Sequence, residues 1–289
     1  MHANIKACLQ LLAAVVGLSP LPALARPHLA VVSYWGNRTD NFSRIPDHTV
    51  ALINPNSGIL VTNDESKVID GLDVYGDVFR RARKHDIALY GYVPTGYFHH
   101  DCNQAGKCQT WTRVEAQVKT YFERMPGLKG IFFDETAPSD YSCEAFAAEY
   151  DKLRTLVAKY RPDGKIIFNV GMPDTCAVNA AKPGEMVVLF ENDGGHYIQD
   201  YAKIKAATKL AADRGVQSWH ILNNIPPNQL DAVMRAADIY APDYLYVVDV
   251  SGDWQAGFDT YGGLPAYWKA EVKALTGPDD NKNETARPR

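Results

Sequence analysis

Residues 130–135 read GIFFDE: four residues without a polar side chain, then two adjacent acids. A run of this kind lacks period-two alternation, so it suits a strand covered on both faces, as in a parallel sheet, with its acids at the carboxyl end. The same pattern recurs on either side. Leu29–Tyr34, Thr49–Ile53, Ile87–Val93, Gly130–Asp134, Lys165–Val170, Met186–Phe190, Ser218–Leu222 and Tyr244–Val248 are all short and rich in β-branched and aromatic residues. Helical stretches separate them, clearest at Lys67–Lys84, Thr112–Arg124, Cys143–Tyr160, Ile198–Arg214, Asn228–Ala237 and Leu264–Leu275. The segments after the first and fifth strands carry the weakest helical pattern. Pro226 and Pro227 mark one helix start, and Gly215 marks one helix end. Eight strands alternating with helices predict an α/β fold, a single closed (β/α)8 barrel. The alternative, an open doubly wound sheet, usually has fewer strands, and no glycine fingerprint follows the first strand.

The 289 residues match the usual size of such a barrel, and 46 % hydrophobic content is enough for a core that needs no metal or oligomer to support it. A net charge of −4 with interspersed signs provides no basic stripe for nucleic acid and no pull toward an anionic membrane. Residues 1–25 read as an export signal. Lys6 is the lone charge, Ala7–Leu18 is an apolar run too short to span a bilayer, and Ala23-Leu24-Ala25 offers a cleavage site. Residues 26–276 form the expected barrel. Residues 277–289, GPDDNKNETARPR, read as a disordered tail. The expectation is a secreted or periplasmic monomer without a membrane span.

Export places the cysteines in an oxidising compartment. Cys8 leaves with the signal, and the remaining four allow three pairings. Cys102–Cys108, closing a small loop, with Cys143–Cys176 is the expected one. A zinc site is disfavoured because no CxxC spacing occurs, and His99-His100-Asp101 reads more simply as a solvated loop. Neither metal nor cofactor is expected. Asn-x-Ser/Thr triplets at Asn37, Asn41 and Asn283 matter only in a host that glycosylates exported proteins.

Barrel active sites lie at the carboxyl ends of the strands. In chain order those ends carry Tyr34 and Trp35; Asn54 and Asn56; Tyr92 and Tyr97; Asp134 and Glu135; Asn169; Glu191; Asn223; and Asp249, with Asp253 and Trp254 close behind. Carboxylates, amides and aromatic rings on one rim suit a sugar: rings stack on pyranose faces and amides bond hydroxyls. Glycoside hydrolysis uses two carboxyl groups, one protonating the leaving oxygen and one acting as nucleophile or base. Asp134, Glu135 and Glu191 are the catalytic candidates. Trp35, Asn54, Asn56, Tyr92, Tyr97, Asn169, Asn223, Asp249 and Trp254 are the substrate-binding candidates. Each has a plainer reading: Asp-Glu as a helix cap, Asn54 and Asn56 as turn formers beside Pro55 and Gly58, Tyr92 and Tyr97 as packing, Asp249 as a turn former.

INPNSG (53–58), YGYVPTGY (90–97), GIFFDE (130–135) and VVLFE (187–191), in this order, resemble the spherulation-specific (spherulin-four) family, from about Val31 to Val250. The resemblance implies a (β/α)8 fold and endo-acting hydrolysis of α-1,4-linked galactosamine and N-acetylgalactosamine polymers of biofilm matrices. Its acidic motif positions correspond to Asp134, Glu135 and Glu191. The Cys102–Cys108 loop departs from the pattern, and NVGMP (169–173) matches it only approximately. The working assignment makes Glu191 the general acid and Asp134 the nucleophile or base, with Glu135 tuning their pKa values or holding the sugar. The reverse assignment and substrate-assisted catalysis stay open. Two alternatives are a non-catalytic exopolysaccharide binder and a hydrolase of a different glycan.

Overall fold

The computed structural model describes residues 26–36, 38–61, 67–69, 71–98, 109–250 and 259–277. The expected leader, Asn37, the His99–Asp101 loop, the Cys102–Cys108 bridge, Asp253, Trp254 and the tail from residue 278 lie outside them.

Eight strands close into a barrel: β1 (His28–Val31), β2 (Val50–Ile53), β3 (Ala88–Pro94), β4 (Gly130–Asp134), β5 (Lys165–Asn169), β6 (Met186–Asp193), β7 (Gln217–Asn223) and β8 (Tyr244–Val247). Each pairs in parallel with its sequence neighbours, and β8 returns to β1. The helices are α1 (Gly76–Lys84), α2 (Trp111–Arg124), α3 (Cys143–Tyr160), α4 (Thr175–Ala180), α5 (Gly194–Gln199), α6 (Tyr201–Asp213), α7 (Leu230–Tyr240) and α8 (Trp268–Thr276). The single (β/α)8 barrel expected from the strand pattern is therefore the observed fold. Among the described residues no helix is long and apolar enough to cross a membrane.

Strand alternation assigns each side chain to a wall. On β4, Phe132 points inward, where it meets Tyr92 of β3 and Trp219 of β7, each at 5.9 Å between ring centroids. Asp134, two residues on, therefore also points inward. Phe133 points outward and stacks near Phe168 of β5, whose other partner is Tyr150 of α3 at 3.8 Å. These three rings are fully buried, and burying a side chain of this size contributes about 1.5–3 kcal/mol. Gly91 on β3 leaves room for the Tyr121 ring of α2, because a Cβ there would stand 2.7 Å from that ring. Tyr121 in turn donates its hydroxyl to the Ile53 carbonyl at 2.9 Å.

Two expected helices differ from what is observed. Lys67–Lys84 holds a short antiparallel strand (Val68–Ile69, paired with Leu60–Val61), a 3-10 turn (Leu72–Tyr75) and only then α1. Gly71, at φ 59°, supplies a left-handed residue that no continuous helix accommodates. Ile198–Arg214 holds the end of α5 and then α6, with Asp200 between them. The carboxyl end of β6 also extends beyond the expected Phe190 to Asp193.

Candidate active site

The barrel mouth opens into a cavity of about 590 Å³ at the carboxyl ends of the strands. Asp134 and Glu191 form its centre. Alternation carries Asp134 inward at the end of β4. Glu191 arrives by another route. β6 pairs Val188 with Trp219 and then Phe190 with His220, so Leu189 is an extra, unpaired residue. This bulge reverses the strand's parity. Val188 lies beside inward-facing Trp219, and after the bulge Glu191 lies beside Ile221, on the same face. If Leu189 were instead paired in a regular ladder, Glu191 would fall opposite Leu222 and its carboxyl group would face the helices.

One amide holds the pair. Asn169, the last residue of β5, donates from Nδ2 to Asp134 Oδ1 and to Glu191 Oε2, both at 2.7 Å. Asp134 accepts two further bonds, from the Tyr92 hydroxyl at 2.6 Å and the Glu135 backbone N–H at 2.8 Å. Glu191 accepts one more, from the Tyr261 hydroxyl at 2.8 Å. Burial pushes both carboxyl groups up, and the nearby Asp134 charge raises Glu191 further, to about 7. The hydrogen bonds oppose these shifts, and Asp134 receives more of them. This balance favours the ionised form at Asp134 over the ionised form at Glu191. The phenols of Tyr34, Tyr92 and Tyr261 are driven far up by burial, so they remain protonated donors.

Glu135 points elsewhere. It adopts φ 59°, stabilised by the bond from its own N–H to Asp134 Oδ1, and its Oε2 accepts the Gly96 N–H at 3.0 Å. The Thr95 hydroxyl donates to the Glu135 carbonyl at 2.7 Å. Tyr97 and Phe98 beside it are also left-handed, at φ 54° and 59°. Three bulky residues in this region form a concentration of backbone strain of the sort found around functional sites.

The cavity brings together Asp134, Glu135, Glu191, Tyr92, Tyr97, Asn169 and Asn223 of the expected residues. It does not bring in Trp35, Asn54, Asn56 or Asp249. Trp35 is 1 % exposed and packs edge-on against Phe42, because its neighbour Tyr34 takes the inward direction and lines the cavity. Asn54 turns its Oδ1 to the Gly58 N–H at 2.8 Å and so builds the NPNSG turn. Asn56 is exposed on that turn, and it is Ser57, at φ 50°, that reaches the cavity. Asp249 accepts the Ala266 N–H at 3.1 Å and shapes the loop after β8. Sequence reading missed Tyr261 and Asp259 from that loop. The signal was DTYGG (259–263), a polar turn holding one aromatic; Asp259 Oδ1 accepts the Tyr261 N–H at 2.8 Å and orients it.

Cys143 and Cys176 are joined as expected, tying the start of α3 to the start of α4. Both helices follow strands that supply the central residues. Among the described residues no group of three or more His, Cys, Asp or Glu side chains could hold a metal ion. Four acids line the cavity, Asp134, Glu135, Glu191 and Asp259, and no lysine or arginine of the described residues does.

The protein is thus a closed eight-stranded parallel (β/α)8 barrel with an acid-lined cleft at the carboxyl ends of its strands. The chain belongs to spherulation-specific family 4, whose sequence pattern it matches over residues 21–275. It is 24 % identical over 230 residues to Spherulin-4 of Physarum polycephalum, an alignment spanning 78 % of this chain and 61 % of that protein. The chain thus covers less than two thirds of that relative's length. The fold is similar to that of an endo-1,4-β-mannanase from Rhizomucor miehei (TM-score 0.57, 9 % identity, 88 % of this chain and 93 % of that one). It is also similar to a hyperthermophilic endo-β-1,4-glucanase (TM-score 0.54, 13 % identity, 88 % and 97 %). At these identities the likeness concerns the fold.

Proposed function

We propose that the protein is a retaining endo-glycoside hydrolase. The observation that carries this reading is the single Asn169 Nδ2 lying 2.7 Å from an oxygen of Asp134 and 2.7 Å from an oxygen of Glu191. Those oxygens stand no more than twice that distance apart. Retaining enzymes hold their carboxyl groups about 5–5.5 Å apart, whereas inverting enzymes need about 6.5–9.5 Å to admit a water.

In the first step Asp134 attacks the anomeric carbon, the bond to the glycosidic oxygen breaks, and that oxygen takes the proton of Glu191. In the second, Glu191 removes a proton from water, the water oxygen attacks the same carbon, and Asp134 leaves as carboxylate. The pKa of about 7 suits Glu191 to both duties near neutral pH. Tyr34, Tyr97 and Tyr261 offer ring surface and phenol groups to the sugar.

The proposed substrate is an α-1,4-linked galactosamine/N-acetylgalactosamine exopolysaccharide. Family membership supports it, as does a cavity with four acids and no described base, a lining that tolerates or attracts ammonium groups. The proposed setting is outside the cytoplasm, with residues 1–25 removed near Ala25. Reducing-end release from the purified polymer tests the reading, with Asp134→Asn and Glu191→Gln beside wild type and folding followed by circular dichroism. The expected result is oligosaccharide release by wild type and a loss of about 100-fold or more in both folded variants. Binding without release by wild type would replace the hydrolase with a polysaccharide binder.

A further inference from the structure

We infer that Asn169 acts as a positioning residue for the carboxylate pair, and that it makes no hydrogen bond to the sugar. The inference rests on the hydrolase reading and concerns how its two acids are held.

A side-chain amide nitrogen has two hydrogens. Asn169 spends one on Asp134 Oδ1 and one on Glu191 Oε2, so no donor remains for a hydroxyl. Its other end offers nothing either: Oδ1 is buried and has no partner among the described residues. The orientation is dictated by the acids. Turning the amide over would set Oδ1 against two carboxylate oxygens, acceptor against acceptors. The structure therefore tolerates one unsatisfied carbonyl to keep both N–H groups on the pair.

The backbone holds the amide to both strands that it links. Asn169 is 5 % exposed, and its carbonyl accepts the Thr136 N–H at 2.9 Å, just past Asp134 and Glu135. Two residues later the Gly171 carbonyl accepts the Glu191 N–H at 3.0 Å. Gly171 is at φ 69°, and a side chain there would meet Glu191 Cβ at 3.7 Å. The other titratable groups facing the pair are the phenols of Tyr34, Tyr92, Tyr97 and Tyr261 and the carboxylate of Glu135. None is a cation. Tyr92 serves Asp134 alone and Tyr261 serves Glu191 alone, which leaves Asn169 as the shared donor among the described residues.

This arrangement suits a two-step reaction. Negative charge lies on Asp134 before the first step and on Glu191 before the second. An amide with one N–H on each acid supports whichever is ionised without moving, and it limits repulsion when both are.

The test uses the whole mature protein, Asn169→Ala and the near-isosteric Asn169→Asp. Side-chain carboxyl ¹³C resonances, assigned with Asp134→Asn and Glu191→Gln, are titrated without substrate, so the result does not depend on any glycan being cleaved. The expected result is an upward displacement of both titrations by about one unit or more in each folded variant. Where hydrolysis is measurable, kcat falls at least tenfold, KM stays within about twofold, and both limbs of the kcat/KM profile move to higher pH. Unmoved titrations, or a raised KM with kcat preserved, would overturn the inference and return Asn169 to a sugar-binding role. Failure of wild type to cleave any polymer would defeat the hydrolase reading and leave the titration to decide this one.

Discussion

Tyr261 donates its hydroxyl to Glu191 Oε1 at 2.8 Å, across 70 positions of sequence, from the loop that follows the last barrel strand. With Asn169 on Oε2, each oxygen of the Glu191 carboxyl group thus accepts one hydrogen bond. The Tyr261 bond also lowers the pKa of Glu191 against the effect of burial. Tyr261→Phe keeps the ring and removes the donor. The expected result is a fall in kcat/KM of roughly 10- to 100-fold, the usual worth of a hydrogen bond to a charged group. The basic limb of the pH profile should move upward, since the acid loses a partner for its ionised form. A lower rate with an unmoved limb would confine Tyr261 to packing.

The wild-type profile carries its own sign. The proposed first step needs Asp134 ionised and Glu191 protonated. Activity should therefore fall as pH rises through about 7, where Glu191 gives up its proton. Glu191→Gln should lose this limb together with activity on unactivated polymer, while leaving groups that need no proton should be cleaved by the variant at a much higher residual rate. A wild-type profile flat from pH 6 to 9 would remove Glu191 from the acid role.

Retention is tested by the anomer first released. Proton NMR of the early reaction should show the configuration of the substrate linkage before mutarotation scrambles it. Asp134→Gly with added azide should form a glycosyl azide of the opposite configuration, because the anion then attacks from the face the carboxylate has vacated. An inverted first product from wild type would require a water between the acids, a geometry incompatible with both bonds to Asn169 Nδ2.

These residues were legible in the sequence to different degrees, for physical reasons. β4 was read with its observed limits because GIFFD is apolar on both faces and ends where charge begins. Glu191 was read as a rim acid from VVLFE, but the Leu189 bulge that turns it inward leaves no trace in an unbroken apolar run. Tyr34 and Trp35 are adjacent aromatics at the end of β1. Which one enters the cavity depends on a pleat position that composition does not express, and the structure sends Trp35 to the core. Asn54 bonds Gly58 locally, and its turn chemistry outweighed its place on the rim. Tyr261 is harder to place because its signal, a polar turn with one aromatic, has no periodicity, and only closure of the barrel brings it to Glu191.

The Cys143–Cys176 bond is a further test of how the rim is held. It closes 33 positions and links the loops that follow β4 and β5. Loss of such a crosslink costs about 2–4 kcal/mol. A Cys143→Ala, Cys176→Ala double variant should melt several degrees lower than wild type, and peptide mapping without reductant should recover the two cysteines as one linked pair. Recovery of either cysteine bonded to Cys102 or Cys108 would contradict the pairing.

Glu271 offers a prediction about stability that is separate from catalysis. It lies on α8 with 0 % exposure. Oε1 accepts the Val247 N–H at 2.7 Å, while Oε2 has no partner among the described residues. Burial drives its pKa well above the ordinary value, and the nearby Asp249 adds to the effect. The folded chain thus holds this proton more tightly than the unfolded chain. Its contribution to stability is complete below the unfolded pKa and is lost as pH rises toward the folded one. Glu191 and Asp134, also raised, act in the same sense. Glu271→Gln keeps an oxygen for Val247 and cannot ionise. The variant should therefore lose less stability than wild type between pH 5 and 8, with its melting temperature at pH 8 higher by a few degrees. Hydrolysis of the proposed polymer should be unaffected at pH 5. Equal pH dependence in the two proteins would mean that Glu271 is already ionised in the fold, with a partner for Oε2 supplied from outside the described residues.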